Sequence, residues 1–100
     1  MSLESRKLLT IVTEAALENE VTVEIQRLGA HGYTVCDARG KGGRGVRDAN
    51  WSMSANIRIE IVCPAATAEA IAAALKERYY DNYAMILFLS DVEVLRPDKF

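Results

Sequence analysis

The segment Asn56–Val62 alternates apolar and polar side chains so regularly that it constrains the fold of the whole chain. Every second position is an isoleucine: Ile57, Ile59 and Ile61. A period of two predicts a strand that buries one face against a core and leaves the other face polar. The chain must therefore build a sheet, and other segments must cover its isoleucine face.

The remaining segments supply further strands and two helices. We predict strands at 7–13, 33–38, 55–62 and 84–90, a short fifth strand at 92–95, and helices at 14–28 and 64–80. Thr13 is the predicted N-cap of the first helix, and the sequence GAHG is predicted to end it. Taken alone, VTVEI (21–25) alternates like a strand, whereas the wider window is amphipathic with a helical period. We prefer the helix.

The order β, α, β, β, α, β is typical of the ferredoxin-like α+β fold, with an antiparallel sheet and both helices on one face. A chain of 100 residues, half of them apolar, fits one domain, here residues 1–100. Along Met85–Leu89, the side chains on both faces of the predicted strand are apolar. The sheet face without helices must therefore also be covered. A second copy of the same sheet is the simplest cover, and we predict a homo-oligomer.

The composition also argues against several classes of site. The start of the chain resembles neither a signal peptide nor a membrane-spanning helix, which predicts a cytoplasmic protein. Cys36 and Cys63 lack the spacing of metal ligands, and His31 is the single histidine, so no metal site is expected. A hairpin would place Cys36 opposite a residue near Ile57, which makes a disulfide between the two cysteines improbable.

A basic, glycine-rich segment lies between the second and third strands. Arg39–Arg47 carries four cations and four of the six glycines; because the net charge is −2, the rest of the chain sums to −6. Such a segment attracts a small anion, whose oxygens would bind backbone N–H groups and the guanidinium groups of Arg44 and Arg47. A solvated hairpin loop is the alternative. The glycine spacing also spells GxGxxG, but no helix follows as a dinucleotide fingerprint requires.

Three stretches together indicate a family: GYTVCDARGKGGRGVR, ANIRIEIVC and YYDNYAMILFLSDVEVL. They resemble the PII-like signalling proteins of the carboxysome-associated, SbtB-like type over most of the chain. The resemblance implies a trimer of ferredoxin-like subunits that binds adenine nucleotides in the clefts between them. It also implies that residues 39–54, approximately, form the T-loop, which changes order with ligand and contacts a partner.

The resemblance further implies which residues bind ligand. The expected nucleotide-binding residues are Thr10, Val35, Gly40, Lys41, Gly42, Gly43, Arg44 and Arg47. The expected ligands of bicarbonate are Lys41, Arg44 and Arg47. It implies a regulator rather than an enzyme, with no catalytic residue and no cofactor beyond the effector nucleotide. Its partner would be a membrane bicarbonate transporter or another protein of carbon metabolism, and not nucleic acid. The resemblance does not include the cysteine-bearing tail of some SbtB-like proteins, so we do not expect its redox or nucleotide-hydrolysing roles. Residues 39–54 contain no tyrosine, so we do not expect regulation by modification of the T-loop.

Two other functions remain as alternatives. Ferredoxin-like sheets and Arg-Gly loops also occur in proteins that bind single-stranded RNA, although such sheets need outward aromatic side chains. A small phosphatase would use the loop arginines to hold phosphate and Asn50 or Asn56 to orient water. The sequence contains no evident nucleophile for that reaction.

Overall fold

A computed structural model of the chain describes residues 2–40 and 56–100. The elements in these ranges are strand β1 (Glu4–Glu14), a 3₁₀ turn (Ala15–Leu17), helix α1 (Glu18–Arg27), strands β2 (Thr34–Ala38) and β3 (Asn56–Cys63), helix α2 (Ala65–Tyr79), strand β4 (Ile86–Val94) and a C-terminal 3₁₀ turn (Pro97–Lys99). The strands form one sheet in the order β2-β3-β1-β4, and every neighbouring pair is antiparallel. This is the predicted ferredoxin-like fold.

The core lies between one face of the sheet and the two helices. The three isoleucines of β3 are at most 1% exposed, and their partners on β1 are Leu9, Ile11 and Thr13. The helices contribute a matching set of fully buried residues: Val21 and Ile25 from α1, and Ala68, Ile71 and Leu75 from α2. The period-two alternation of β3 therefore predicted the buried face correctly.

Helix α1 includes the ambiguous VTVEI stretch, so the helical interpretation is confirmed. Tertiary packing decides the outcome, because Val21 and Ile25 are both fully buried and lie one helical turn apart. The predicted N-cap at Thr13 is wrong. Thr13 still belongs to β1, where it pairs with Ile57, and its Oγ1 donates to Glu14 Oε1 at 2.9 Å. Pairing with β3 keeps the backbone extended through Glu14, and a 3₁₀ turn precedes α1.

The end of α1 is a Schellman motif centred on Gly29. The Gly29 N–H donates to Gln26 O at 3.1 Å, and the Ala30 N–H donates to Ile25 O at 3.0 Å. Gly29 has a φ of 113°, a conformation that is strained for residues with a Cβ atom. The predicted helix stop at GAHG is therefore confirmed.

Strand β4 is longer than predicted, and the separate fifth strand is wrong. Val92 and Val94 continue β4, where they pair with Arg6 and Glu4 of β1. Because β1 begins at Glu4 rather than at residue 7, it pairs with β4 along the whole length of that strand. The polar residues between the two predicted strands do not break it, since Ser90 pairs with Leu8 in the same ladder.

Helix α2 begins after Pro64, whose φ of −61° and ψ of 155° make it the N-cap. At its other end, the Tyr79 hydroxyl donates to Glu20 Oε2 of α1 at 3.1 Å, and Arg78 Nη2 lies 3.7 Å from the same carboxylate. Burial, together with the hydrogen bond to Glu20, raises the pKa of Tyr79. This contact fixes α1 against α2 at the end of the molecule where both β2 and β1 terminate.

Candidate functional site

The segment predicted to form the T-loop begins and ends at the same end of the sheet, on the neighbouring strands β2 and β3. Ala38, the last residue of β2, pairs with Asn56, the first residue of β3, so the chain leaves and re-enters the sheet on neighbouring strands. Arg39 and Gly40, the first two residues of the segment, are exposed. The other predicted loop ligands, Lys41, Gly42, Gly43, Arg44 and Arg47, lie outside the described residues. The position of the loop base is nevertheless set by the Ala38–Asn56 pair.

The two predicted ligands on the sheet lie on opposite faces of it. Thr10 pairs with Glu60 of β3 and with Phe88 of β4, on the face turned away from the helices. Val35 pairs with Ile59 and packs against the hydrophobic core. One subunit therefore does not bring Thr10 and Val35 together, and each lines a different side of the sheet.

The face opposite the helices, here called the open face, is divided lengthwise into two halves. The half formed by β1 and β4 carries the apolar side chains of Leu8, Val12, Ile86 and Phe88, with the buried Thr10 between them. Ile86 is 54% exposed and Phe88 is 50% exposed. The sequence predicted this apolar half, because the residues on both faces of Met85–Leu89 are apolar. Apolar side chains side by side on an exposed sheet surface mark a site of association.

The half formed by β2 and β3 is polar and comprises Thr34, Cys36, Arg58 and Glu60. Register places Thr34 beside Glu60 and Cys36 beside Arg58, and Arg58 Nε lies 3.8 Å from Glu60 Oε2. Both charged side chains remain partly exposed. Cys36 is two residues from Ala38, about 7 Å along the strand, so this polar half adjoins the end of β2 at which the predicted T-loop begins.

Sequence reasoning did not select Thr34, Arg58 or Glu60 as site residues. The signal was present in the strict alternation of β3, which assigns Arg58 and Glu60 to the face that must also be covered. On a face that is expected to be covered, a charged pair requires polar partners. The polar half has chemistry suited to a ligand: a hydroxyl, a guanidinium and a carboxylate within a few residues of the basic segment 39–47.

Side chains at the loop end of the sheet brace the strands there. Glu14 Oε2 accepts a hydrogen bond from the Ala84 N–H at 3.4 Å, which connects the end of β1 to the segment before β4. The Tyr80 hydroxyl accepts the Leu87 N–H at 3.1 Å. The rings of Tyr79 and Tyr83 meet edge to face with centroids 5.7 Å apart. These contacts connect the end of β1, the C-terminal end of α2 and the start of β4.

The two cysteines occupy different environments. Cys36 lies opposite Arg58, one residue from the expected position, and is half-buried on the open face. Cys63 is buried in the core, and burial raises the pKa of its thiol. Across residues 2–40 and 56–100, no three metal-ligating side chains of the His, Cys, Asp or Glu type form a group able to hold a metal ion. In the same ranges, no helix is long and apolar enough to cross a membrane.

Comparison with known proteins identifies related sequences and structures. The family model for nitrogen regulatory protein P-II matches residues 6–99. A crystal structure of a putative PII-like signaling protein from Thermus thermophilus is 42% identical, with coverage of 100% of this chain and 99% of that chain, and a TM-score of 0.85. CPII from Thiomonas intermedia, bound to ADP and bicarbonate, is 27% identical, with coverage of 99% and 97% and a TM-score of 0.86. A second CPII structure, bound to ADP, AMP and bicarbonate, is 26% identical over 99% and 96%, with a TM-score of 0.87.

Proposed function

Because the chain belongs to the nitrogen regulatory protein P-II family, we propose that it is a cytoplasmic regulator that binds an adenine nucleotide in clefts between its subunits. Proteins of this family are regulatory signalling proteins, and trimers are typical of it. The main observation that supports the proposal is the division of the open face into an apolar half and a polar half. Its apolar half is suited to pack against another copy, and its polar half, beside the T-loop base, is suited to a polar ligand.

The chemistry of the polar half matches a nucleotide. The Glu60 carboxylate accepts hydrogen bonds from an amine or from ribose hydroxyls, and the Thr34 hydroxyl both donates and accepts. Thr10 lies next to Glu60 in the same register row. The phosphate oxygens would then extend toward the T-loop, whose Arg44 and Arg47 supply charge-assisted hydrogen bonds and whose glycines let backbone N–H groups approach. The ADP and AMP held by CPII support this ligand class.

Bicarbonate is the second ligand of the proposal. The cations Lys41, Arg44 and Arg47 would hold it beside the nucleotide phosphates, and the bicarbonate bound to CPII supports an inorganic-carbon input. We place the protein in the regulation of inorganic-carbon uptake or metabolism, as in the carboxysome-associated, SbtB-like type. Its T-loop would contact a membrane bicarbonate transporter or another protein of carbon metabolism. A ligand can change the conformation of the T-loop only if it binds one loop conformation more tightly than another.

Calorimetric titration of the purified protein tests the proposal directly. AMP, ADP, ATP and cyclic AMP are each titrated with and without bicarbonate at fixed ionic strength. We expect saturable binding near one site per subunit, tightened by bicarbonate for at least one nucleotide. An absence of binding for all four nucleotides would contradict the proposed ligand class and would point to the T-loop as a site for protein docking alone.

Cys36 is a built-in reporter of ligand binding on the polar half. In the native protein, we expect iodoacetamide to modify Cys36 and to leave Cys63 unmodified, because Cys63 is only 2% exposed and thiolate formation is disfavoured by burial. Saturating nucleotide should slow the modification of Cys36 several-fold. Mass spectrometry of the alkylated peptides measures both rates, and Cys63 is the internal control for unfolding. An unchanged Cys36 rate at saturating nucleotide would place the ligand away from the polar half.

A further inference from the structure

Arg58 places a positive charge in the middle of the polar half of the open face. It lies two residues from Asn56, the first residue of β3, and two residues from Glu60 on its other side. Each step of two residues is about 7 Å along a strand. Along β3, a carboxylate is therefore followed by a guanidinium group and then by the end of the sheet at which β2 leads into the basic segment 39–47.

The guanidinium group of Arg58 is accessible and weakly paired. Within residues 2–40 and 56–100, its ion-pair contact is with Glu60, whose Oε2 lies 3.8 Å from Nε, too far for a hydrogen bond. The residues beside Arg58 in the register are Cys36 on β2 and Val12 on β1, and neither side chain carries an oxygen acceptor. The Arg58 side chain is 50% exposed in the single subunit, so a ligand can reach it.

We propose that Arg58 binds the phosphate group attached directly to the ribose of the nucleotide. In the assembly proposed above, the open face is covered, and a guanidinium group that loses water there needs oxygen acceptors. The Glu60 carboxylate does not supply them all, because it also binds the amine or the ribose hydroxyls of the ligand. The first anionic group beyond the nucleoside is this phosphate, and arginine forms paired, charge-assisted hydrogen bonds with phosphate oxygens. This inference rests on the proposed function.

The position of Arg58 on the sheet gives it a role distinct from that of the loop arginines. Strand β3 lies between β2 and β1, and both neighbours pair with it at Arg58. The backbone at Arg58 is therefore fixed from both sides before ligand binds. The phosphate that Arg58 contacts is present in both AMP and ADP and absent from adenosine. Arg58 thus makes the site selective for nucleotides over the nucleoside.

Three dissociation constants measured on the full chain test this contact. AMP and ADP are titrated by calorimetry with and without bicarbonate, and adenosine is measured by competition against ADP. We expect Arg58→Gln to weaken the binding of AMP and of ADP each at least about tenfold and to leave that of adenosine unchanged. Arg58→Lys should recover part of the loss, because it keeps the charge without the planar fork. Arg27→Gln is the matched control, since it removes an exposed guanidinium group from α1, on the other side of the sheet.

The pattern across the three ligands decides between the possible roles of Arg58. An equal loss for adenosine and AMP would overturn the inference, because Arg58 would then act only through Glu60. Unchanged constants for AMP and ADP would also overturn it, and a loss confined to the effect of bicarbonate would assign the guanidinium group to that anion instead. Failure of the proposed function is a separate result, in which the wild type binds none of the three ligands. Light scattering verifies that each variant keeps the wild-type mass.

Discussion

Replacement of Phe88 by glutamate is expected to convert the assembled protein into monomers and to abolish nucleotide binding. Phe88 lies in the middle of the apolar half and is half exposed in the single subunit, so the subunit itself loses little packing. In the assembly, the same position would enclose an unpaired carboxylate, which costs several kcal/mol per subunit, in addition to about 1–2 kcal/mol of lost apolar burial. Size-exclusion chromatography with light scattering measures the mass, and calorimetry measures ADP binding.

Val23→Glu is the matched control for Phe88→Glu. Val23 is a 65% exposed apolar residue on α1, which packs on the other side of the sheet, and glutamate is a good helix former. This variant should keep the wild-type mass and the wild-type affinity for ADP. If Phe88→Glu also keeps the wild-type mass, the apolar half is not the interface. If it is monomeric but still binds ADP at one site per subunit, the ligand does not need a cleft between copies.

Simultaneous replacement of Arg44 and Arg47 by alanine should weaken nucleotide binding about 100-fold or more without dissociating the assembly. Each arginine is expected to contribute roughly 1.5–3 kcal/mol through charge-assisted hydrogen bonds to phosphate or bicarbonate oxygens. The sum corresponds to a factor of at least about 10² in the dissociation constant. Calorimetric titration with ADP, with and without bicarbonate, measures the loss for each ligand.

Arg27→Ala is the control for the loss of positive charge. Arg27 is exposed on α1 and pairs with Glu24 one turn earlier in the same helix, and helix pairs at this spacing contribute only about 0.2–0.5 kcal/mol to stability. Its removal should leave the nucleotide affinity unchanged. Wild-type affinity in the Arg44 and Arg47 double variant would show that these side chains do not contact the ligand, and the site assignment would then move to the polar half of the sheet.

Local patterns in the sequence were sufficient to predict most of the fold. The isoleucines of β3 identified the buried face, and the spacing of Val21 and Ile25 gave α1 despite the β-branched residues around it. The errors occur where a neighbouring strand extends an element. Thr13 has the chemistry of an N-cap, but pairing with Ile57 keeps it in β1. Val92 and Val94 were predicted as a separate strand because no local pattern shows that β1 begins as early as Glu4. The early residues of β1 are the ones that pair with Val92 and Val94.

The candidate site was less predictable than the fold because it depends on register between distant segments. The motif between Arg39 and Arg47 indicated the loop, but it gave no information on which sheet residues adjoin it. Thr34 and Glu60 become neighbours only through the pairing of β2 with β3. Contacts of this range leave no trace in local periodicity.

Because Ala38 pairs with Asn56, the segment between them can be replaced by one of another length or sequence. Because its two ends are fixed on adjacent strands, residues can be inserted or removed between them without a change in the register of the sheet. The entropic cost of lengthening such a closed segment is small, about 0.6 kcal/mol for each doubling. Evolution can therefore alter what this segment contacts while Glu60, Thr34 and the core remain unchanged. For the same reason, the segment is a suitable position for a fluorescent reporter or for a loop transplanted from a relative.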